Sequence, residues 1–315
     1  MTVLILRALG LGDLLTAFPA LRALADAFPR HRRVLAMPRA LAPLALRSGA
    51  VDDVIDAAPL APISWDSRSA IDVGVNLHGR GPESHRVLRL LAPRRLIAFA
   101  HPAIAESAGS PVWRADEHEV TRWCRLLREL GIAADASRLD LDVPAGPVPG
   151  GAVGATLIHP GARHTARQWP AHRWAEVARA EVRVGRRVVL TGSADEAPIA
   201  REIAARAALP TSAVLAGATD LLGLARLVKA AARVVCGDTG VAHLATAVGT
   251  PSVLLFGPTA PDRWGPPPER AKHRVLWAGI AGAPNAARVD PGLLRLTADA
   301  VVAALRDLDR QEVAA

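Results

Sequence analysis

Four short stretches put polar chemistry where apolar runs end. In "RALGLGDLLTAFPALRAL" (7–24), Gly10 and Gly12 bracket a turn, and Asp13 stands at the start of a helical pattern. Asp is among the best helix caps, and capping accounts for an isolated one. A carboxylate at a strand end is also placed to act as a general base. The GxGD spacing falls short of GxGxxG and is weak evidence for a dinucleotide site. In "IHPGARHTARQWPAHRW" (158–174), the loop after His159-Pro160-Gly161 carries Arg163, His164, Thr165 and Arg167 before Trp169-Pro170 opens a helix. Guanidinium groups match phosphate oxygens in a fork, so such a loop suits phosphate, although an ordinary basic surface loop has the same composition. In "VLTGSADEAPIARE" (189–202), Gly192 and Ser193 turn the chain, and Asp195 and Glu196 begin a helix. Acids there complement the helix dipole, or accept from hydroxyl groups such as those of ribose. In "CGDTGVAHLATAVGTPSVLLFGPT" (236–259), a strand runs into Gly-Asp-Thr-Gly and a small-residue helix. Asp238 or Thr239 caps that helix in the plain reading. In the sharper one, the N–H groups of Thr239, Gly240 and Val241 make a socket for an anion, with Gly240 allowing close approach. His243 lies one turn in, where a histidine is more often a packing or capping residue than a catalyst.

Apolar runs must bring these corners into place. "TVLILR" (2–7), "RRVLAM" (32–37), "IDVGVNL" (71–77) and "RLIAFA" (95–100) read as strands, and 13–28 and 118–130 have helical spacing. "VPAGPVPGGAVG" (143–154), the richest Pro/Gly stretch, reads as an interdomain linker. The alternation resumes with strands at 155–161, 186–193, 212–217 and 233–237 and helices near 171–183, 196–208 and 220–231. It ends in one amphipathic helix over 296–310, started by Thr297. This pattern predicts an α/β protein with two doubly wound parallel sheets, in domains of 1–148 and 149–315. Ligands of such sheets bind at the carboxyl ends of the strands, and two such domains facing each other leave a cleft.

Composition narrows the classes. The 315 residues suffice for two cores, and no apolar run approaches the ~20 residues of a membrane span. "MTVLILRALG" lacks the order of a signal peptide and reads as a first strand. Cys124 and Cys236 form no CxxC pair, which predicts a reduced, cytosolic protein. The net charge of +8 is carried almost wholly by Arg, with Lys229 and Lys272 the only lysines. Clusters at 30–33 and 93–95 suit anionic lipid or a phosphorylated substrate. Without interleaved aromatics they suit nucleic acid least, and most are scattered solvated charges. "DLD" (140–142) matches the metal-binding Asp-x-Asp of some sugar transferases, but its place before the linker reads as strand edge. No HExxH or clustered His/Asp spacing predicts a metal. There is also no G-x-S-x-G elbow and no GxxxxGK[ST] loop.

Taken together, "GLGDLLTAFPALRAL", "HPGARHTARQWP..RW", "LTGSADE" and "CGDTGVAHLATAVGTPSVLLFGPTAP", in this order and spacing, resemble glycosyltransferase family 9, the ADP-heptose:lipopolysaccharide heptosyltransferases and their relatives. The resemblance implies a GT-B fold, with the acceptor mainly on the first Rossmann-like domain and the nucleotide sugar on the second. It also implies inverting, metal-independent transfer. Asp13 then matches the family's proposed general base. Arg167 stands where heptosyltransferases usually carry Lys, giving Arg-Gln-Trp-Pro. Glu196 matches an acid that holds the ribose, Asp238 a residue touching the donor sugar, and Thr239 and Gly240 the diphosphate-binding turn. Thr165, Ser193 and His243 are further donor-side candidates, and Gly12 and His78 acceptor-side ones. The expectation is an ADP-heptose donor without a separate cofactor, and an anionic glycan, glycolipid or small-molecule acceptor. The enzyme is expected in the cytoplasm, with peripheral contact at the inner membrane face and no nucleic-acid partner. Two rivals remain at this level: another GT-B enzyme, such as a nucleotide-sugar epimerase or hydrolase, and a catalytically silent nucleotide-sugar-binding protein.

Overall fold

The computed structural model describes residues 1–66, 68–149 and 151–314. Gly150, within the Pro/Gly-rich stretch, lies outside the described residues. The chain divides into two compact units, Met1–Asp142 and Val143–Ala315, so the division falls a few residues before the sequence-based one.

The first unit contains β1 (Thr2–Leu6), α1 (Leu11–Ala27), β2 (Arg32–Met37), α2 (Ala42–Arg47), β3 (Asp53–Asp56), β4 (Val73–Asn76), α3 (Glu83–Arg89), β5 (Arg95–Ile97) and α4 (Glu119–Glu129). Its sheet runs β3-β2-β1-β4-β5, and every pairing is parallel. Consecutive residues Val3, Leu4, Ile5 and Leu6 are all buried, so both faces of β1 are covered, which explains its unbroken apolar run. The winding direction reverses between β1 and β4.

The second unit contains β6 (Thr156–His159), α5 (Ala171–Arg183), β7 (Val188–Leu190), α6 (Ala197–Arg206), α7 (Leu221–Ala230), β8 (Arg233–Gly237), α8 (Gly240–Val248), β9 (Ser252–Leu255), α9 (Pro261–Trp264), β10 (His273–Leu276), α10 (Pro291–Leu294) and α11 (Ala298–Ala314). Its parallel sheet runs β10-β9-β8-β6-β7 and reverses between β6 and β8. Thr297 Oγ1 accepts the Ala300 N–H at 3.2 Å, so it starts α11 as expected. Val301, Leu305 and Leu308 of α11 bury themselves in the core with Trp169, Trp174, Val177 and Ile203.

Several local expectations change. Residues 212–217 form no strand: Val214 makes one isolated bridge to Leu190, between a 3-10 turn at Thr211–Ala213 and Gly217 at φ 76°. Residues 140–142 are irregular rather than a strand edge. The Asp140 carbonyl is instead held by the Arg22 guanidinium. Strands β3 and β10, which carry polar residues at Asp53, Asp56, His273 and Arg274, escape the apolar-run reading.

Candidate functional site

In open α/β sheets the crevice beyond the carboxyl ends of the strands, where the winding reverses, is the favoured ligand position. Each unit puts its expected residues at that point. The corner after β1 carries Asp13, and the chain leaving β4 carries His78. The corners after β6 and β8 carry Arg167 and Asp238.

In the first unit, Gly10 is the N-cap of α1, so Gly12 sits in the first helical turn rather than bracketing a loop. Asp13 Oδ2 accepts the Gly10 N–H at 3.2 Å, closing the helix start. Its other oxygen lies 3.6 Å from Arg7 Nη2, and about a quarter of the side chain is exposed, at 27%. Arg7, 2% exposed, joins four parts of the unit. It donates to the Asp13 carbonyl, the Leu77 carbonyl, Thr16 Oγ1 at 3.3 Å and Glu119 Oε1 at 2.9 Å. Its guanidinium also lies 5.2 Å from the centre of the Trp123 ring. Burial raises the Asp13 pKa, Arg7 opposes that, and the Glu119 charge adds to the rise. The result is a partly exposed carboxylate with increased proton affinity, the property a general base needs.

His78 follows β4. Its backbone N–H donates to Asn76 Oδ1 at 2.9 Å, and its Nδ1 is buried without a hydrogen-bond partner. Burial, and then the Arg7 charge, depress its pKa to about 4, so the ring is neutral at pH 7. Behind it, Asn76 Nδ2 lies 2.9 Å from both Ser84 Oγ and His85 Nδ1, and His85 Nε2 lies 2.7 Å from the Phe99 carbonyl. A carbonyl only accepts, so His85 carries its proton on Nε2 and Nδ1 accepts from Asn76.

In the second unit, the loop after β6 is pinned from both ends. Trp169 Nε1 donates to the Leu296 carbonyl at 3.1 Å and its ring meets Trp174 edge-on at 4.9 Å. Gln168 Nε2 donates back to the Ala162 carbonyl at 2.9 Å. Pro170 is the N-cap of α5. This fixes the short helical turn Thr165–Arg167, and Arg167 reaches the corner after β8. Its Nη1 donates to the Asp238 carbonyl at 3.3 Å and lies 3.8 Å from Asp238 Oδ2. Asp238 is buried, whereas Thr165 is exposed.

Thr239 occupies the N-cap of α8 in extended conformation, yet its side chain makes no capping hydrogen bond. The first N–H groups of a helix have no partner within it. With the cap left out and Arg167 beside it, this helix end has the electrostatics of an anion site. His243, one turn further, meets Trp264 of α9 edge-on at 5.7 Å. Glu196 caps α6 by position, and its Oε2 accepts the Ser193 N–H at 2.7 Å. Its carboxylate lies against Gly161, where an added Cβ would fall 2.0 Å from Oε1. His159 Nδ1, behind it, is 3.2 Å from Thr191 Oγ1. Burial depresses the His159 pKa against the opposing charge of Glu196.

The structure thus brings Arg167, Asp238, Thr239 and Gly240 together at one corner, with Glu196 held at the neighbouring strand ends. Arg7, Glu119 and His159 are the residues that the sequence reading did not assign. Arg7 had a local signal, a charge flush with a buried apolar strand. Glu119 had none, since it meets Arg7 from 112 residues away. Among the described residues no group of three His, Cys, Asp or Glu is placed to hold a metal ion.

Two doubly wound parallel sheets with polar corners at their reversal points define the class of fold, and comparison with known proteins specifies it. The model of glycosyltransferase family 9 (heptosyltransferase) matches residues 111–291, more than half of the chain, and the chain belongs to this family. That segment holds Arg167, Glu196 and Asp238–Gly240; Asp13 and His78 precede it. Lipooligosaccharide heptosyltransferase 2 of Haemophilus influenzae is 36% identical over 111 residues, 34% of this chain and 32% of its own. The match therefore spans about a third of the length of that curated relative. The E. coli ADP-heptose lps heptosyltransferase II superposes with a TM-score of 0.76 at 24% identity, over 99% of each chain. The glycosyl transferase family 9 protein of Veillonella parvula gives 0.80 at 19% identity, over 98% of this chain and 97% of its own. These likenesses show the GT-B fold.

Proposed function

We propose that the chain is an inverting glycosyltransferase that moves heptose from ADP-heptose to an acceptor hydroxyl. One observation carries the reading. The α8 N-terminus is left without its side-chain cap beside the Arg167 guanidinium, in a chain of this family. That corner suits a diphosphate and supplies positive charge to the departing ADP, the role a metal fills elsewhere. Asp238 accepts from the sugar hydroxyls, Glu196 from the ribose, and Thr165, Ser193 and His243 complete the donor side. Asp13, with its raised pKa, takes the proton as the acceptor oxygen attacks the anomeric carbon and the bond to the diphosphate breaks. Gly12 and the neutral His78 face the acceptor.

The acceptor is a hydroxyl on an anionic glycan or glycolipid, met by a cytoplasmic enzyme at the inner membrane face. The name of the Haemophilus influenzae relative and the net charge of +8 support this reading. Among the described residues no helix is long and apolar enough to cross a membrane.

Titration calorimetry with ADP-, UDP-, GDP- and dTDP-sugars tests the donor, and mass spectrometry of products with and without EDTA tests transfer and metal independence. ADP-heptose should bind best. Tenfold tighter binding of a UDP- or dTDP-sugar would sink the donor assignment, and loss of turnover in EDTA would sink the metal-free mechanism.

A further inference from the structure

We infer that Glu119 is a positioning residue for Asp13, acting through Arg7 to keep that carboxylate basic. The inference rests on the reading of Asp13 as the base. Both carboxylates engage the same nitrogen, Arg7 Nη2, at 2.9 Å for Glu119 and 3.6 Å for Asp13. The closer acid takes the larger share of the guanidinium charge, so Asp13 is left with weaker compensation and a like charge nearby.

Glu119 is itself over-determined. The Arg122 guanidinium pairs with its second oxygen, and Trp123 Nε1 donates to the first at 2.7 Å. Arg122 is anchored in turn by the Glu117 carbonyl at 2.6 Å and by the face of Trp113, 4.3 Å from its ring centre. Burial alone would raise the Glu119 pKa, but Arg7, Arg122 and Trp123 overcome it and hold the group ionised. The charged and polar groups facing Asp13 are therefore Arg7 at the end of β1, Glu119 of α4 and the Gly10 N–H at its own helix start. His78, beyond β4, feels the Arg7 charge and stays neutral at pH 7. Glu119 needs no contact with substrate to affect the reaction, and its removal leaves Arg7 wholly to Asp13.

Glu119→Gln keeps the shape and an acceptor for Trp123 while removing the charge. The carboxyl carbon of Asp13, identified by its absence in Asp13→Asn, is followed by 13C NMR titration. Two charges sharing one guanidinium interact strongly enough that the Asp13 midpoint should fall by about one pH unit in Glu119→Gln. The acidic limb of the kcat profile should move down with it, and plateau kcat should drop by roughly threefold, as a weaker base gives under Brønsted behaviour. KM for the donor should stay unchanged. Glu119→Asp withdraws the charge by one methylene and should shift the midpoint the same way by less, so it decides the matter if the Gln variant does not fold. An Asp13 midpoint unmoved in the folded variants would overturn the inference. Full activity of Asp13→Asn would instead overturn the base reading, and with it the catalytic half of the inference, while the titration coupling stayed measurable.

Discussion

Gly161→Ala would move a carboxylate without removing a polar atom. The added Cβ would lie 2.0 Å from Glu196 Oε1 and 2.1 Å from its Cδ, far inside contact distance. Gly161 itself is not left-handed, so alanine fits its backbone and the strain falls on the flexible end of Glu196. The carboxylate must swing away and release the Ser193 N–H, now 2.7 Å from Oε2. One partly exposed hydrogen bond is worth about 1 kcal/mol, or a Tm loss of about 2–4 °C in a domain of this size. Donor binding should suffer more. Hydrogen bonds to a charged group are worth about 1.5–3 kcal/mol, so ADP should bind roughly 10- to 100-fold more weakly. The assay is calorimetry with ADP and with 2′,3′-dideoxy-ADP on wild type, Gly161→Ala and Glu196→Ala. Both variants should lose ADP affinity alike and change little toward the dideoxy analogue. Equal weakening for both ligands, or unaltered ADP affinity, would refute the assignment of Glu196 to the ribose.

Asp13→Asn should leave donor affinity nearly intact and lower kcat by roughly 10²-fold or more; near-normal turnover removes Asp13 from the mechanism. Arg167→Ala should weaken ADP by about 1.5–3 kcal/mol and adenosine hardly at all, as parallel calorimetric titrations would reveal. His273 gives a pH prediction. Burial, then Arg270 and Lys272, lower its pKa to about 4, and its Nδ1 lies 2.8 Å from Ser252 Oγ. Because the folded value is depressed, the unfolded chain takes up the proton first. The stability associated with the neutral ring is whole above about pH 6.5 and drains away toward pH 4, by up to about 3 kcal/mol. Denaturant midpoints from pH 7 to 4 should therefore fall less steeply in His273→Asn than in wild type.

Much of the architecture was legible because buried parallel strands are written as short apolar runs with polar corners, as in "TVLILR" and "RVVCG". The same rule explains the errors. β10 is half-buried at Arg274, Val275 and Leu276 and begins with His273, so its run is too short and polar to register. Residues 212–217 are apolar enough for a strand, but the turn at Thr211–Ala213 leaves a single bridge. At the sites, each corner could be read because its residues are contiguous. The Arg7–Glu119 pair could not, since a buried ion pair between distant segments has no period or spacing. Nor could sequence say that Thr239 would hold the cap position without using its hydroxyl, a matter of side-chain rotation that its identity leaves open.

The two sheets have a bearing on descent. Each has five parallel strands, yet the winding turns back after the third strand in the first unit and after the second in the other. A tandem duplication carries strand order with it, so copying either half would give the same reversal twice. To derive one unit from the other, the third strand would have to leave the edge beside the second and pair instead on the far side of the first. The halves are thus better compared corner by corner than residue by residue. An alignment of one half onto the other in chain order would set Asp13, on the corner after β1, against the loop after β6 that carries Arg167, but would set the corner after β8 against that after the edge strand β3, whereas its counterpart by place in the sheet is the corner after β4.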